Sequence, residues 1–584
     1  MKKKKVLVLF LSVVMTAVLF SACGSMKESD SECGRMSRSD TNAGAMYTNS
    51  APAQQKGYTD GGASYVSGAS AEISEANTSY NNTTTMDAGD SISNMPMESY
   101  DGMYVEGEAK NWNTEEYNAI EESGFKSVKN DPFSTFSVDV DTASYSNLRR
   151  MIKTGSSLED IPSGAVRIEE MLNYFSYDYK LPEKNEPFGV TTVLGDCPWN
   201  EDAKLLQIGL KTQNIDFSEA PPSNLVFLID VSGSMYSNDK LPLLQKSFSM
   251  LINELTEKDT ISIVTYAGSD EVILEGEPGN NKTEIIEALS TLEAGGSTNG
   301  VDGIKTAYKL AEKYFIEGGN NRIILATDGD LNVGVSSESE LKKLVTKERK
   351  SGVFLSVLGF GTGNIKDNKM EALADNGNGN YAYIDSVSEA KKVLVDEMGA
   401  TLVTVAKDVK LQVEFNPAYV KGYRLLGYEN RALATEDFDD DKKDAGEIGA
   451  GHMVTALYEI IPVDSEQDIP DMDMKYQNND GNKGVENGEW LNLKIRYKEP
   501  DADESILKEY PVTEDCYMKE ASQDFYFAAA VAEFGLILRD SEYKGEASFE
   551  AVRELLKNID TDSDDYKQEF VYLVKELQNN SFAD

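Results

Sequence analysis

Histidine is all but missing from this chain: among 584 residues there is one, His452. That scarcity excludes a His-rich zinc site, and any Ser/His/Asp or Cys/His pair that does not use this one residue. His452 lies in Gly449-Ala450-Gly451-His452-Met453-Val454, which reads as the start of a strand, and it is assigned a structural role. Cysteine is scarce as well, with four residues. Cys197 and Cys516 could pair in an oxidising compartment, but two cysteines so far apart in sequence leave a bridge open. Positive charge is also short: 56 lysines and arginines stand against 100 aspartates and glutamates, a formal charge of −44. Such a chain repels phosphate backbones and anionic lipid surfaces, so nucleic acid is not expected as a partner.

What is present begins with an address. Lys2 to Lys5, an apolar run from Val6 to Phe20 and then Ser21-Ala22-Cys23 make a charged n-region, an h-region and a small-residue cleavage site. Cysteine directly after Ser-Ala resembles the lipobox of bacterial lipoproteins. The resemblance implies removal of residues 1–22 and lipidation of Cys23, with the mature protein on the extracytoplasmic face of the cell envelope. Two acyl chains would then be its contact with the membrane, each buried methylene contributing about 0.8 kcal/mol.

A chain of this length needs several domains. Residues 23–130 are rich in Ser, Gly, Asn, Thr, Tyr and Met with little periodicity, and cannot bury enough apolar surface to offset ordering entropy. They are expected to form a disordered tether, and a coil of ~100 residues has an r.m.s. span of roughly 50–60 Å. Order is expected from Asp131. A small α/β module covers 131–187, with a strand in Ser134–Asp141, a helix capped by Thr142 and running through Met151, and a second helix from about Ala165 to Phe175.

Gly189–Leu194 and Lys204–Leu210 read as strands in a β-rich flank, 188–221. Val409–Phe415, Val454–Ile461 and Trp490–Tyr497 do so in a second flank, 405–500. Between the flanks, 222–404 alternates strand and helix patterns. The expected fold is therefore α/β: a doubly wound, mostly parallel sheet inserted between β-rich segments, because the ends of such a domain commonly lie close together. Residues 501–584 are expected to be helical, with apolar stripes such as Phe525, Ala529, Ala532 and Leu536.

Leu225-Val226-Phe227-Leu228-Ile229 is a continuous apolar run, as a central parallel strand covered on both faces requires. It ends in Asp230-Val231-Ser232-Gly233-Ser234, and the carboxyl end of such a strand is where open parallel sheets bind ligands. One turn there can aim an aspartate and two serines into a small volume, which suits a hard divalent cation that takes about six oxygens. Two further donors occupy similar places. Thr298 follows Gly295-Gly296-Ser297 at a helix start, and Asp328 ends the buried run Ile323 to Thr327.

Together, Asp230-Val231-Ser232-Gly233-Ser234, Thr298 and Thr327-Asp328-Gly329 resemble the metal-ion-dependent adhesion site of von Willebrand factor type A domains. That family implies a Rossmann-like doubly wound fold and a Mg2+ or Mn2+ cofactor. Carried over by position, Ser232, Ser234 and Thr298 would touch the metal directly, while Asp230 and Asp328 would hold it through waters. A glutamate or aspartate from a protein ligand would complete the shell. In the family the domain's last helix can move with the metal shell, and here it would span about Ser388 to Met398. The resemblance extends from Asp131 to the C-terminus: Asp131 to Tyr145, Cys197-Pro198-Trp199 and Asp444 to His452 are similar to bacterial lipoproteins that carry this domain between characteristic flanking regions.

Other acidic patterns are set aside. Asp139-Val140-Asp141 is similar to the nucleophile motif of haloacid dehalogenase-like phosphatases, but Ala143 stands where Thr or Val is needed. Asp560, Asp562 and Asp564 start like a calcium loop, yet Asp565 replaces the required glycine and Val571 the bidentate glutamate. Asp437, Asp439 and Asp441 fail in the same way at Lys442 and Ile448. The chain is thus read as a binding protein and not an enzyme. A metal-dependent hydrolase would need a general base that the motif segments do not offer. An envelope scaffolding subunit is the other alternative, and the sequence leaves the oligomeric state open.

Overall fold

The computed structural model describes residues 113–138, 141–215, 220–297, 300–329, 338–470, 484–500 and 502–581, all within one compact unit, Tyr104–Asp584. The expected signal segment, Cys23, most of the expected tether and Thr298 lie outside the described residues. No helix among the described residues is long and apolar enough to cross a membrane.

Four strands precede the central domain: β1 (Lys126–Ser127), β2 (Phe133–Ser137), β3 (Gly189–Asp196) and β4 (Lys204–Lys211). The central sheet is built from β5 (Ser223–Asp230), β6 (Thr260–Tyr266), β7 (Asp270–Pro278), β8 (Asn320–Thr327), β9 (Phe354–Phe360) and β10 (Tyr381–Ile384), in the order β10-β9-β8-β5-β6-β7. All its pairings are parallel except β6 with β7. The alternation along β5 explains why its apolar run has no polar gaps. Leu225, Phe227 and Ile229 enter one core with Leu244, Phe248 and Ile252 of helix Leu241–Glu254. Val226 and Leu228 enter the opposite core with Ile304, Ala307 and Tyr308 of helix Gly300–Lys313. Each buried aliphatic or aromatic side chain contributes roughly 1.5–3 kcal/mol, and only a strand covered on both faces collects that gain at every position.

Six strands follow: β11 (Thr404–Phe415), β12 (Val420–Leu426), β13 (Gly446–Gly449), β14 (Met453–Pro462), β15 (Glu489–Lys498) and β16 (Ile506–Thr513). They interleave with the earlier ones in two antiparallel sheets, β1-β12-β14-β4-β3 and β13-β11-β15-β16, with β2 paired to β11. The facing side chains of both sheets, among them Leu206, Ile208, Val413, Tyr458 and Leu493, share one core. The central domain is therefore an insertion in a β framework, as the strand patterns on either side of it imply. The other face of the first sheet, through Leu205, Leu457 and Ile461, packs on helices Ala143–Lys153, Ile168–Asn173, Gln523–Arg539 and Asp565–Ser581.

Four expectations need correction. The folded part starts before Asp131: residues 113–129 are held by backbone pairing, with Lys126–Ser127 on β12 and Glu116 bridged to Lys366, which composition does not reveal. The C-terminal region is not wholly helical, because β16 completes a sheet there before the first helix at Gln523. The second N-terminal helix is shorter than expected, Ile168–Asn173, preceded by a single 3-10 turn. The last helix of the central domain is broken into Val387–Lys391, a π-turn at Lys392–Asp396 and Met398–Leu402. Cys197 and Cys516 are free thiols, with Cys197 buried and the Cys516 thiol 3.4 Å from the Thr192 hydroxyl. Asp141 is structural, accepting from Tyr381 N at 2.8 Å and pairing with Arg431.

Candidate metal centre

Three neighbouring parallel strands converge on one carboxylate. Asp230, at the end of β5, is fully buried. Its Oδ1 accepts the Ser232 N–H at 2.8 Å, which folds the Asp230–Ser234 turn back over the strand end. Its Oδ2 accepts the hydroxyl of Thr327 at 3.1 Å, from the end of β8, and that of Tyr266 at 3.2 Å, from the end of β6. The hydroxyl oxygens of Ser232 and Ser234 stand 2.9 Å apart. Asp328, also fully buried, takes hydrogen bonds from Lys240 and from the Ser234 hydroxyl.

The structure thus brings Asp230, Ser232, Ser234 and Asp328 together. The loop that leads to Thr298 is laced to the same turn by Gly295 N donating to Val231 O at 2.7 Å and Gly233 N to Gly296 O at 3.2 Å. Gly329 is required where it stands: its φ is +95°, and a Cβ there would meet Lys366 N at 2.6 Å.

The two carboxylates differ in charge environment. Burial pushes Asp230 up to about 6, assisted by the charge of Asp328 and opposed by the hydrogen bonds from Ser232 and Thr327. Burial acts upward on Asp328 too, but the Lys240 ammonium and the bonds from Asn364 and Ser234 hold it below the usual carboxylate range. Sequence reasoning missed Lys240, Tyr266 and Asn364. It quoted Thr327 only as part of a motif, although a hydroxyl residue ending a buried strand beside the aspartate was a signal.

The crevice fits a hard divalent cation. It offers hydroxyl and carboxylate oxygens and no imidazole or thiolate, the donor chemistry of Mg2+ or Mn2+ rather than zinc. No group of three or more His, Cys, Asp and Glu side chains among the described residues could hold an ion, so a cation here would need the hydroxyls. The centre opens to solvent at exposed Ser234, beside Tyr236, which is 82% exposed. On another side, Thr114 and Glu116 pair through their N–H groups with Gly363 O and Ile365 O, in the loop that carries Asn364. His452 lies elsewhere, lining a cavity of about 430 Å³ with Tyr174, Lys392 and Glu397. Burial lowers its imidazole to about 4.

This fold and this strand-end cluster define a von Willebrand factor type A domain protein. The family model described as von Willebrand factor type A domain matches residues 224–396, and one described as von Willebrand factor matches 111–207. A third, "Uncharacterized protein YfbK, C-terminal", matches 400–579. The chain belongs to the YfbK family: it is 43% identical over 474 residues to YfbK of Escherichia coli (strain K12), covering 79% of this chain and 81% of that one. Similarity to human inter-alpha-trypsin inhibitor heavy chain H3 is lower, 25% over 279 residues, covering 44% of this chain and 30% of that one. Among solved structures, a von Willebrand factor type A protein from Catenulispora acidiphila is 14% identical with a TM-score of 0.39, covering 69% of this chain and 91% of that one.

Proposed function

We propose that this protein is a lipid-anchored binding protein of the cell envelope that captures a carboxylate of a protein partner through Mg2+ or Mn2+ at the Asp230 crevice. The observation that carries the reading is the convergence of Asp230, Ser232, Ser234 and Asp328 at the ends of adjacent parallel strands. When bound, the cation supplies an open coordination position to an incoming glutamate or aspartate.

The chain's own residues do the rest. Ser232, Ser234 and Thr298 contribute neutral hydroxyl ligands, so they leave the charge of the cation largely intact. Asp230 and Asp328 act through waters, and Asp230 is fixed in place by Thr327, Tyr266 and the Ser232 N–H. Tyr236, exposed at the mouth, gives a partner an aromatic surface beside the metal, a residue type that interfaces favour. Hydrolysis is disfavoured because the crevice carboxylates, Asp230 and Asp328, are both assigned to the metal, Lys240 is already bound to Asp328 and Asn364, and His452 is elsewhere. Cys23, by its place after the leader, would anchor the chain on the extracytoplasmic face.

Two measurements test the proposal. Incorporation of labelled palmitate into the chain, lost in Cys23→Ser, supports the anchor, and labelling that persists in the variant contradicts it. Capture of a glutamate-bearing peptide that depends on Mg2+ and is reversed by chelator supports the binding role. Capture indifferent to chelator contradicts it.

A further inference from the structure

We propose that Lys240 sets the charge of the metal centre. By cancelling Asp328 it weakens the hold on the cation, and by remaining in the loaded site it strengthens the hold on an anionic ligand. The proposal rests on the metal reading above.

The geometry is specific to this lysine. Lys240 directly precedes helix Leu241–Glu254, its side chain is 8% exposed, and its Nζ lies 2.9 Å from Asp328 Oδ2 and 2.9 Å from Asn364 Oδ1. Its aliphatic stem crosses Gly361, where φ is +75° and an added Cβ would stand 2.2 Å from Lys240 Cε. That stretch of loop is kept bare for the lysine. Burying an ammonium is costly unless it is paired and hydrogen-bonded, and here both needs are met by groups around the crevice.

The pairing is one-sided. Asp230 receives only neutral donors: the backbone N–H and hydroxyl of Ser232 and the hydroxyls of Thr327 and Tyr266. Of the two carboxylates assigned to the metal, one is therefore neutralised by the protein itself. A fixed ammonium on a carboxylate that would hold a divalent cation would oppose the binding of that cation, and burial reduces the screening that would hide the effect. The same ammonium attracts an incoming carboxylate. A lysine that merely held Asp328 in position would act differently, since its loss would weaken both binding steps.

The test uses the full chain in a neutral detergent, as wild type, Lys240→Met and Lys240→Gln. Free Mn2+ is followed by electron paramagnetic resonance, and acetate binding to the Mn2+-loaded protein by water-proton relaxation. Both variants are expected to bind Mn2+ about tenfold more tightly and acetate about threefold more weakly. Lys240→Gln, which keeps hydrogen-bonding groups, decides if the methionine variant does not fold. Saturable wild-type Mn2+ binding with unchanged or weaker binding in the variants overturns the role of Lys240 alone. No saturable binding to wild type overturns it together with the metal reading.

Discussion

Two clusters of buried charge lie at the carboxyl ends of strands in the central sheet, and they are built on opposite plans. At the edge, after β10, Arg149 donates from all three guanidinium nitrogens: to Asp385 at 2.8 and 2.5 Å, Glu389 at 2.8 Å, Tyr174 at 2.7 Å and Glu569 at 3.0 Å. This knot ties the N-terminal helix Ala143–Lys153, the start of the central domain's last helix and the C-terminal helix into one piece. In the middle, after β5 and β8, Asp230 has no cation, Asp328 has one, and Ser234 stands at a solvent-facing mouth. Every carboxylate of the edge cluster touches a cation where the flanks cover the sheet, whereas Asp230 touches none where the sheet opens. The difference separates a joint from the proposed binding site.

Removing the guanidinium should have the largest effect on stability. Arg149→Ala leaves Asp385 and Glu389 buried without their partner, and a loss of about 3–5 kcal/mol is expected in denaturant unfolding. If the two clusters are independent, Mn2+ affinity of the folded variant stays that of wild type. A weakened affinity would mean that the broken last helix transmits strain to the crevice.

A carboxylate buried without any cation, outside both clusters, sharpens the contrast. Glu533, within helix Gln523–Arg539, is fully buried, and burial raises it to about 7 despite the N–H of Ser548. Its folded pKa lies above its unfolded one, so the folded state holds the extra proton between about pH 4.5 and 7. Stability is therefore lost as pH rises through that window. Glu533→Gln should be more stable than wild type at pH 8 by on the order of 2–3 kcal/mol, with the gap closing below about pH 4.5. Thermal melts at the two pH values check it, and a pH-independent gap would contradict the assignment. The smallest effect is expected from Tyr266→Phe, which deletes one of the hydrogen bonds on Asp230. About 0.5–1.5 kcal/mol of stability is expected to go in denaturant unfolding, with the metal still bound.

The crevice residues were legible as a group because they stand in short runs: an unbroken apolar strand, then Asp230 to Ser234, and a second such strand ending at Asp328. Strand and helix periodicities also revealed the insertion. Lys240 was not legible, since its role depends on the bare backbone at Gly361 and on Asn364, more than 100 residues away in sequence. Arg149 was hidden for the same reason: its carboxylate partners lie 236 to 420 residues on. The segment 113–118 has no apolar pattern because backbone pairing to the 363–366 loop holds it, and backbone pairing leaves little trace in composition. The π-turn at Lys392–Asp396 carries no glycine or proline that would have announced it.

Calorimetric titration of Mg2+ and Mn2+ into the full chain, with an Asp230→Ala, Ser232→Ala variant alongside, tests the central claim most directly. The account expects saturable binding by wild type and a loss of about 100-fold or more in a variant that remains folded. Equal binding by both proteins would contradict it, and so would no binding by either, even with a saturating carboxylate present to close the shell.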